Sequence, residues 1–88
     1  MLVKLTYSKA FKKHYQKLSS PEKQQTKKKL EFFIENPMHP SLRTKKIQGA
    51  KGIWESSITM DIRMIWLYEN DELIILLDIG HHDILKKF

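Results

Sequence analysis

The sequence predicts an α+β domain in which an N-terminal strand and a helical hairpin precede an antiparallel β-meander, with the helices packed on one face of the sheet. Apolar residues recur at helical spacing in the first 35 positions, and from Ile53 onward the period changes to that of strands. The chain has 88 residues, which suits a single domain spanning 1–88 and leaves no room for a second core.

The first strand and both helices carry recognisable boundary signals. Leu2 to Tyr7 is typical of a strand, and Ser8 then offers a hydroxyl to cap a first helix. Ser19-Ser20-Pro21-Glu22 has capping-box spacing and a proline suited to a first helical turn, and Asn36-Pro37 stops the second helix. Because the apolar residues of this helix crowd into its second half, we expect its lysine-rich first half to project from the core.

The second half of the chain begins with a long basic loop and continues as strands. Residues 38–51 contain four lysine or arginine side chains, one histidine and no acidic residue, and we predict a short extended piece near Lys46 to Gln48 at the loop's end. Strands are then predicted at 53–58, 62–68 and 72–79. Loops of this length with little structure of their own are often functional.

Two hairpin registers follow from the positions of the turns. If positions 70 and 71 form a two-residue loop, Arg63 lies opposite Asp78. If residues 59–61 form a symmetric turn between the strands at 53–58 and 62–68, Ser57 faces Arg63 and Glu55 lies diagonally from Arg63. The ends of three strands then meet at one edge of the sheet, where His82 emerges.

The charge of the chain is unevenly distributed. The net charge is +6, but residues 1–46 hold twelve basic and three acidic side chains whereas residues 47–88 hold four and seven. A basic half on so small a domain indicates a polyanionic partner, of which nucleic acid is the commonest. A solvated lysine-rich surface is the alternative, and charge alone does not separate the two.

Composition excludes several other classes of protein. The chain has no cysteine, so it has neither disulfides nor a thiolate metal site. The spacing of His81, His82 and Asp83 matches no zinc pattern, and we expect no metal or cofactor. No apolar run is long enough for a signal peptide or a membrane span, so we expect a cytoplasmic protein without membrane contact.

Arg63 and His82 are the first candidate functional residues, because the end of a hydrophobic strand positions ionisable groups well. Arg63 offers a planar fork of donors suited to a phosphate in a transition state. Alternatively, it forms a cross-strand ion pair with Asp78. His82 can give a proton to a leaving oxygen, or it caps the strand end while Gly80 supplies backbone freedom. The adjacent His81 points to the opposite side.

Loop lysines and an acidic strand residue form a second group of candidates. Lys45, Lys46 and Lys51 can neutralise phosphates, and ordinary solvation is the alternative for each. Glu55 either acts as a base or pairs with Arg63.

Three aromatic residues lie in the predicted strands. Trp54, Trp66 and Tyr68 are large enough to stack on nucleic-acid bases, but burial is the commoner fate of aromatic residues at strand positions. The sequence leaves both interpretations open.

The chain resembles the RelE/ParE superfamily of type II toxin–antitoxin toxins, most closely its RelE and YafQ branches, over nearly its whole length. Besides the helical hairpin, the residues that carry this resemblance are Pro37-Met38-His39-Pro40-Ser41-Leu42, Lys46-Ile47-Gln48-Gly49, Gly52-Ile53-Trp54-Glu55-Ser56-Ser57, Asp61-Ile62-Arg63 and Leu77-Asp78-Ile79-Gly80-x-His82-Asp83.

This resemblance implies a RelE-like fold and a metal-independent endoribonuclease that cuts mRNA in the ribosomal A site. Arg63 matches the strand arginine that stabilises the phosphate, and His82 matches the general acid of YafQ-like members. Lys45 stands where close relatives often have a histidine, and Lys46 matches a family lysine. The general base is left open among Lys45, Lys46 and Glu55. The cations expected to contact RNA are Lys12, Lys13, Arg43, Lys51 and Lys86.

The implied partners are a cognate antitoxin protein and the ribosome with its mRNA. One alternative is a ParE-like toxin that binds DNA gyrase and cuts nothing, and another is an inactive member that only binds a partner. The pair His82-Asp83 favours the nuclease, because a gyrase binder needs no proton donor.

Overall fold

The computed structural model describes residues 2–87, and the side chains of all of these except residues 82, 86 and 87. Its elements are β1 (Lys4–Tyr7), α1 (Lys9–Gln16), α2 (Ser20–Glu35), β2 (Lys45–Lys46), β3 (Trp54–Ser57), β4 (Ile62–Asn70) and β5 (Leu73–His81), with 3-10 helices at Pro40–Leu42 and His82–Lys87.

The predicted α+β class is confirmed. The two helices pack on a five-stranded sheet with strand order β1-β5-β4-β3-β2. β1 runs parallel to β5, and the β2-β3-β4-β5 part is antiparallel, so the sheet is mixed. Among the described residues, no helix combines the length and the apolar character needed to cross a membrane.

Both helices begin where their capping residues predict. The Ser8 hydroxyl accepts a hydrogen bond from the Phe11 N–H and itself donates to the Leu77 carbonyl of β5, so the cap also fixes α1 to the sheet. At α2, the Ser19 hydroxyl accepts from the Glu22 N–H and the Glu22 carboxylate accepts from the Ser19 N–H, which completes the capping box. Local sequence signals are therefore sufficient to place both helix starts.

The expectation that the first half of α2 projects from the core was wrong. Thr26 is fully buried, and it lies on the same helical face as Leu30 and Phe33. Its hydroxyl donates to the Glu22 carbonyl at 2.9 Å, so the buried hydroxyl of Thr26 has a hydrogen-bond partner. Counting only apolar residues missed this face because threonine can satisfy its hydroxyl within the helix.

The structure confirms one predicted register and contradicts the other. Ser57 pairs with Arg63, as expected for the β3-β4 hairpin. Arg63 lies opposite Gly80 and not Asp78. The reason is that the β4-β5 turn begins one residue later, with Asn70 paired to Leu73, which moves the partner of Arg63 by two positions. The two irregularities in the ladder shift it in opposite directions and cancel before Arg63.

Asp78 has a different partner from the one predicted. Its register neighbour is Ile65, and its buried carboxylate forms a short hydrogen bond of 2.5 Å to Nδ1 of His14 on α1. A second hydrogen bond, 2.8 Å long, comes from the Ile79 N–H. Asp78 therefore joins the first helix to the sheet and leaves Arg63 available for another site.

A cluster of aromatic rings fills the core between α2 and the sheet. Trp66 is fully buried and meets Phe33 edge-on, with the ring centroids 5.0 Å apart. On its other sides Trp66 stacks on Trp54 and meets Tyr68 edge-on. Its indole N–H donates to the Ser56 hydroxyl at 2.9 Å. The other buried apolar residues of this core are Phe11, Leu18, Leu42, Ile58, Ile62, Met64, Ile74, Leu76 and Ile79.

The α2 capping box predicts a pH effect. The pKa of Glu22 lies below its ordinary value of 4.5, chiefly because the carboxylate accepts the Ser19 backbone N–H, with smaller contributions from the Ser19 hydroxyl and from His81. A carboxyl whose pKa is lowered by folding stabilises the fold above 4.5, and this contribution is lost as the pH falls through the folded-state pKa. Urea unfolding should therefore show wild type more stable than Glu22→Gln near neutral pH, with the difference shrinking as the pH falls below 4.5. A difference that does not change with pH would contradict the assignment.

Candidate functional site

Five polar side chains from three segments line one small pocket on the face of β3 and β4 opposite the aromatic core. The pocket has a volume of about 180 Å³ and is lined by Arg43, Lys45, Glu55, Ser57 and Arg63. The β2-β3 ladder pairs Lys45 with Glu55, and the β3-β4 ladder pairs Ser57 with Arg63, so backbone register alone brings these side chains together. Three of the predicted catalytic residues, Lys45, Glu55 and Arg63, thus occupy one pocket.

Arg63 is held firmly within this pocket. Its Nη1 donates to the backbone carbonyls of Thr59 at 2.8 Å and Met60 at 2.7 Å, and its Nε lies 3.9 Å from Oε1 of Glu55. Its side chain is only 16% exposed. A guanidinium that is anchored by neutral carbonyls and partly shielded from water can stabilise an anion with little reorganisation.

The pocket is cationic overall. Arg43, Lys45 and Arg63 contribute three positive charges against the single carboxylate of Glu55, whose side chain is 9% exposed. This excess of positive charge matches a phosphodiester, which gains a further negative charge in the transition state of an internal attack. The arrangement is thus suited to a phosphate ligand.

Arg43 was expected only as a general RNA contact, but it belongs to this pocket. It follows the 3-10 helix Pro40–Leu42 with φ of 48°, a left-handed conformation that is uncommon for a residue other than glycine. Its N–H donates to the Pro40 carbonyl at 3.2 Å. Sequence periodicity gives no signal for this position, because a loop conformation determines it. Ser57 was likewise given no chemical role from the sequence.

The structure does not bring Lys46 into the pocket. Lys46 pairs with Trp54 across the β2-β3 ladder, so it lies on the opposite face from Lys45. Its Nζ lies 5.4 Å from the centroid of the Trp54 ring. Of the two adjacent lysines, only Lys45 has access to the phosphate pocket.

The other expected RNA contacts are spread over the surface. Lys12 and Lys13 are exposed on α1, and Lys12 lines a separate groove between α1 and α2. Lys51 lies in the turn before β3. The side chain of Lys86 lies outside the described residues.

The backbone of His82 begins the C-terminal 3-10 helix directly after β5, two positions beyond Gly80, the cross-strand partner of Arg63. The predicted site for His82 is at this strand end, but its side chain lies outside the described residues. Asp83, the next residue, is exposed.

Gly80 is required for space, and not for the backbone freedom expected from the sequence. The positive-φ glycines are Gly49 and Gly52. A Cβ added to Gly80 would lie 2.7 Å from Cγ2 of Ile84, which is closer than carbon atoms can approach without a shift. The C-terminal segment therefore packs directly across this end of β5.

Within the side chains that the structure describes, no cluster of three or more histidine or acidic residues is arranged to hold a metal ion.

The comparison with protein families identifies the kind of protein. The family described as ParE toxin of type II toxin-antitoxin system, parDE, matches residues 5–85. The chain belongs to this toxin family, within the RelE/ParE superfamily. A comparison with curated proteins gives no match.

Solved structures share the fold of this toxin. YafQ in the E. coli DinJ-YafQ toxin-antitoxin complex has a TM-score of 0.77 at 19% identity, covering 97% of this chain and 98% of that one. A mutant of E. coli toxin RelE in the free state has a TM-score of 0.74 at 19% identity, with 99% and 93% covered. A copper-bound mutant toxin from Helicobacter pylori has a TM-score of 0.70 at 26% identity, with 97% and 99% covered. The RelE-like fold predicted from the sequence is thereby confirmed.

Proposed function

We propose that this toxin is an endoribonuclease that cuts mRNA in the A site of the ribosome and so stops translation. The observation that supports this best is the convergence of Arg43, Lys45 and Arg63 on one pocket that also contains Glu55. Three cations around a space of this size are suited to one phosphodiester, and cleavage requires stabilisation of the charge that develops on it.

In the proposed reaction the ribose 2′-hydroxyl attacks the adjacent phosphorus, and the bond from phosphorus to the 5′-oxygen breaks. The products are a 2′,3′-cyclic phosphate and a free 5′-hydroxyl. Arg63 stabilises the pentavalent phosphate, with Arg43 and Lys45 adding positive charge. His82 delivers a proton to the leaving 5′-oxygen. Alignment of the 2′-hydroxyl comes from the ribosome, which explains why so small a pocket suffices.

The general base is Glu55 or Lys45. Both lie in the pocket, whereas Lys46 faces away from it. Glu55 is a carboxylate that is ready to accept a proton, although its contact with Nε of Arg63 also gives it a positioning role. Lys45 is an ammonium donor, so it would have to lose its own proton before it could accept one.

His82→Gln is expected to lower the rate of the cleavage step and leave the protein folded. Glutamine keeps the approximate size and one hydrogen bond but has no transferable proton, so the loss should be about a hundredfold or more. Single-turnover cleavage of mRNA in programmed ribosomes measures the rate, and a thermal melt measures folding. Wild-type cleavage by this variant removes His82 from the mechanism, and a failure to fold shows instead that the histidine secures the strand end.

The partner proposed for this toxin is a small antitoxin with acidic segments. YafQ is solved in a complex with DinJ, and the basic first half of this chain is complementary to an acidic polypeptide. Co-purification with the product of the neighbouring open reading frame tests this, and failure to form a complex even at low salt would count against it.

A ParE-like inhibitor of DNA gyrase is the second candidate function, because the family that matches the chain is that of the ParE toxins. An inactive partner-binding member is the third. Expression without antitoxin separates these three functions. If the toxin cuts mRNA, incorporation of labelled methionine should fall before incorporation of labelled thymidine. If thymidine incorporation falls first, gyrase is the better target, and if growth continues at confirmed expression, this copy is inactive.

A further inference from the structure

A second cationic groove lies on the opposite face of the β2 edge from the phosphate pocket. It is an open depression of about 690 Å³ between β2, β3 and the turn that connects them, residues 47–53. Lys46 and Lys51 contribute the charged groups of its lining and Trp54 the aromatic one, and no acidic residue is among the residues that line it.

Trp54 is supported rigidly from one side. Its indole stacks on the fully buried Trp66 with 5.6 Å between ring centroids and an angle of 12° between the planes. Tyr68 meets Trp54 edge-on at 6.4 Å. The inner face of Trp54 is therefore covered, and the Lys46 ammonium lies 5.4 Å from the ring centroid at the outer face. Trp54 itself is only partly buried.

The connecting turn shapes the other wall of the groove. Gly49 and Gly52 both have positive φ, 82° and 78°, and a Cβ built on either of them would meet no atom within 4 Å beyond its adjacent residues. The turn closes through hydrogen bonds from the Ala50 N–H to the Ile47 carbonyl and from the Ile53 N–H to the Ala50 carbonyl. It thus presents backbone and the exposed Lys51 to the groove.

We infer that this groove is a second RNA-binding site, in which one base of a single strand stacks on Trp54 while Lys46 and Lys51 hold the flanking phosphates. A planar ring with two ammonium groups beside it matches a nucleotide, which combines a π face with negative charge. On binding, the base takes the place of the Lys46 ammonium over the indole, and the ammonium moves to a phosphate.

This inference rests on the proposed action on RNA and extends it. β2 is an edge strand of only two residues, with Lys45 directed to the phosphate pocket and Lys46 to the groove. A single RNA strand that crosses this edge would contact both sites, so the groove would hold nucleotides next to the one that is cut.

The test uses the Arg63→Ala protein, in which cleavage is suppressed, and a short labelled single-stranded RNA at low salt. In this background Trp54→Leu, which keeps apolar cover over Trp66, should bind about tenfold more weakly. Lys46→Gln and Lys51→Gln should each weaken binding and reduce the slope of log K against log salt by about 0.7. Lys4→Gln removes the same charge from β1 at the far edge of the sheet and should change binding least.

Tryptophan fluorescence gives an independent measurement that needs no substitution in the groove. Because Trp66 is fully buried, quenching of the tryptophan fluorescence by acrylamide reports chiefly on Trp54. Bound RNA should protect Trp54 from this quenching. Equal binding by the Trp54→Leu, Lys51→Gln and Lys4→Gln proteins, or unprotected fluorescence with RNA bound, would overturn the inference. A competition experiment with polyglutamate could also overturn the inference. If polyglutamate displaces the RNA and binds equally well with and without the Trp54→Leu substitution, the groove is a site for acidic protein.

Failure of this inference is distinguishable from failure of the proposed function. Cleavage on ribosomes that depends on Arg63, without any effect of the groove variants on RNA binding, would leave the nuclease assignment standing and remove the groove. RNA binding that depends on the groove residues, without any cleavage, would support the groove and remove the nuclease assignment.

Discussion

Replacing Arg63 with alanine is expected to slow mRNA cleavage on programmed ribosomes by a hundred- to a thousandfold, or about 2–4 kcal/mol in activation free energy. Arg63 lies in the phosphate pocket with Arg43 and Lys45, and it is fixed there by the carbonyls of Thr59 and Met60. Its stabilisation of the developing charge therefore needs little rearrangement. The loss should appear in the rate at saturating ribosome concentration, because the interaction strengthens in the transition state.

Arg63→Lys is the matched variant for this prediction. Lysine keeps the charge but not the planar fork, and it cannot bond the turn carbonyls and a phosphate in the same geometry, so its rate should lie between those of wild type and Arg63→Ala. Thermal melts of both variants show whether loss of the turn contacts also destabilises the fold. Cleavage by folded Arg63→Ala at the wild-type rate would exclude Arg63 from the reaction.

Trp66→Ala is expected to lower the free energy of unfolding by about 3–5 kcal/mol. Trp66 is fully buried between Phe33, Trp54 and Tyr68, and its truncation removes these contacts and leaves the Ser56 hydroxyl without the indole N–H. Since small domains are stable by only about 5–15 kcal/mol, the variant would lose a large part of its stability.

Urea denaturation followed by circular dichroism measures this loss without relying on tryptophan fluorescence. Tyr68→Ala is the control from the same cluster, because Tyr68 is 41% exposed and packs on fewer sides. Its effect should be about 1 kcal/mol. A similar loss for both variants would show that the centre of the core lies elsewhere.

The sequence predicted the parts of the fold that depend on local signals. Ser8 and Ser19 cap the helices they were expected to cap, and Ser57 faces Arg63, because a cap or a tight hairpin is determined by a few neighbouring residues. The β4-β5 register was wrong because the Asn70 side chain accepts the N–H groups of Glu72 and Leu73, which moves the turn.

The parts that were missed depend on contacts between distant segments. Asp78 bonds His14 across 64 positions, and no local pattern indicates such a pair. Arg43 enters the phosphate pocket through a left-handed loop conformation that the basic composition of the loop does not specify. The opposite facing of Lys45 and Lys46 follows from strand alternation, but only once the two residues are known to form β2.

Cleavage of a defined mRNA by purified toxin, with and without ribosomes, is the most direct test of the proposed activity. The expected result is a cut within the A-site codon of ribosome-bound mRNA that leaves a 2′,3′-cyclic phosphate and a 5′-hydroxyl, together with a rate at least a hundredfold lower for Arg63→Ala. Intact mRNA on ribosomes, combined with inhibition of DNA supercoiling by gyrase in the same protein preparation, would contradict it.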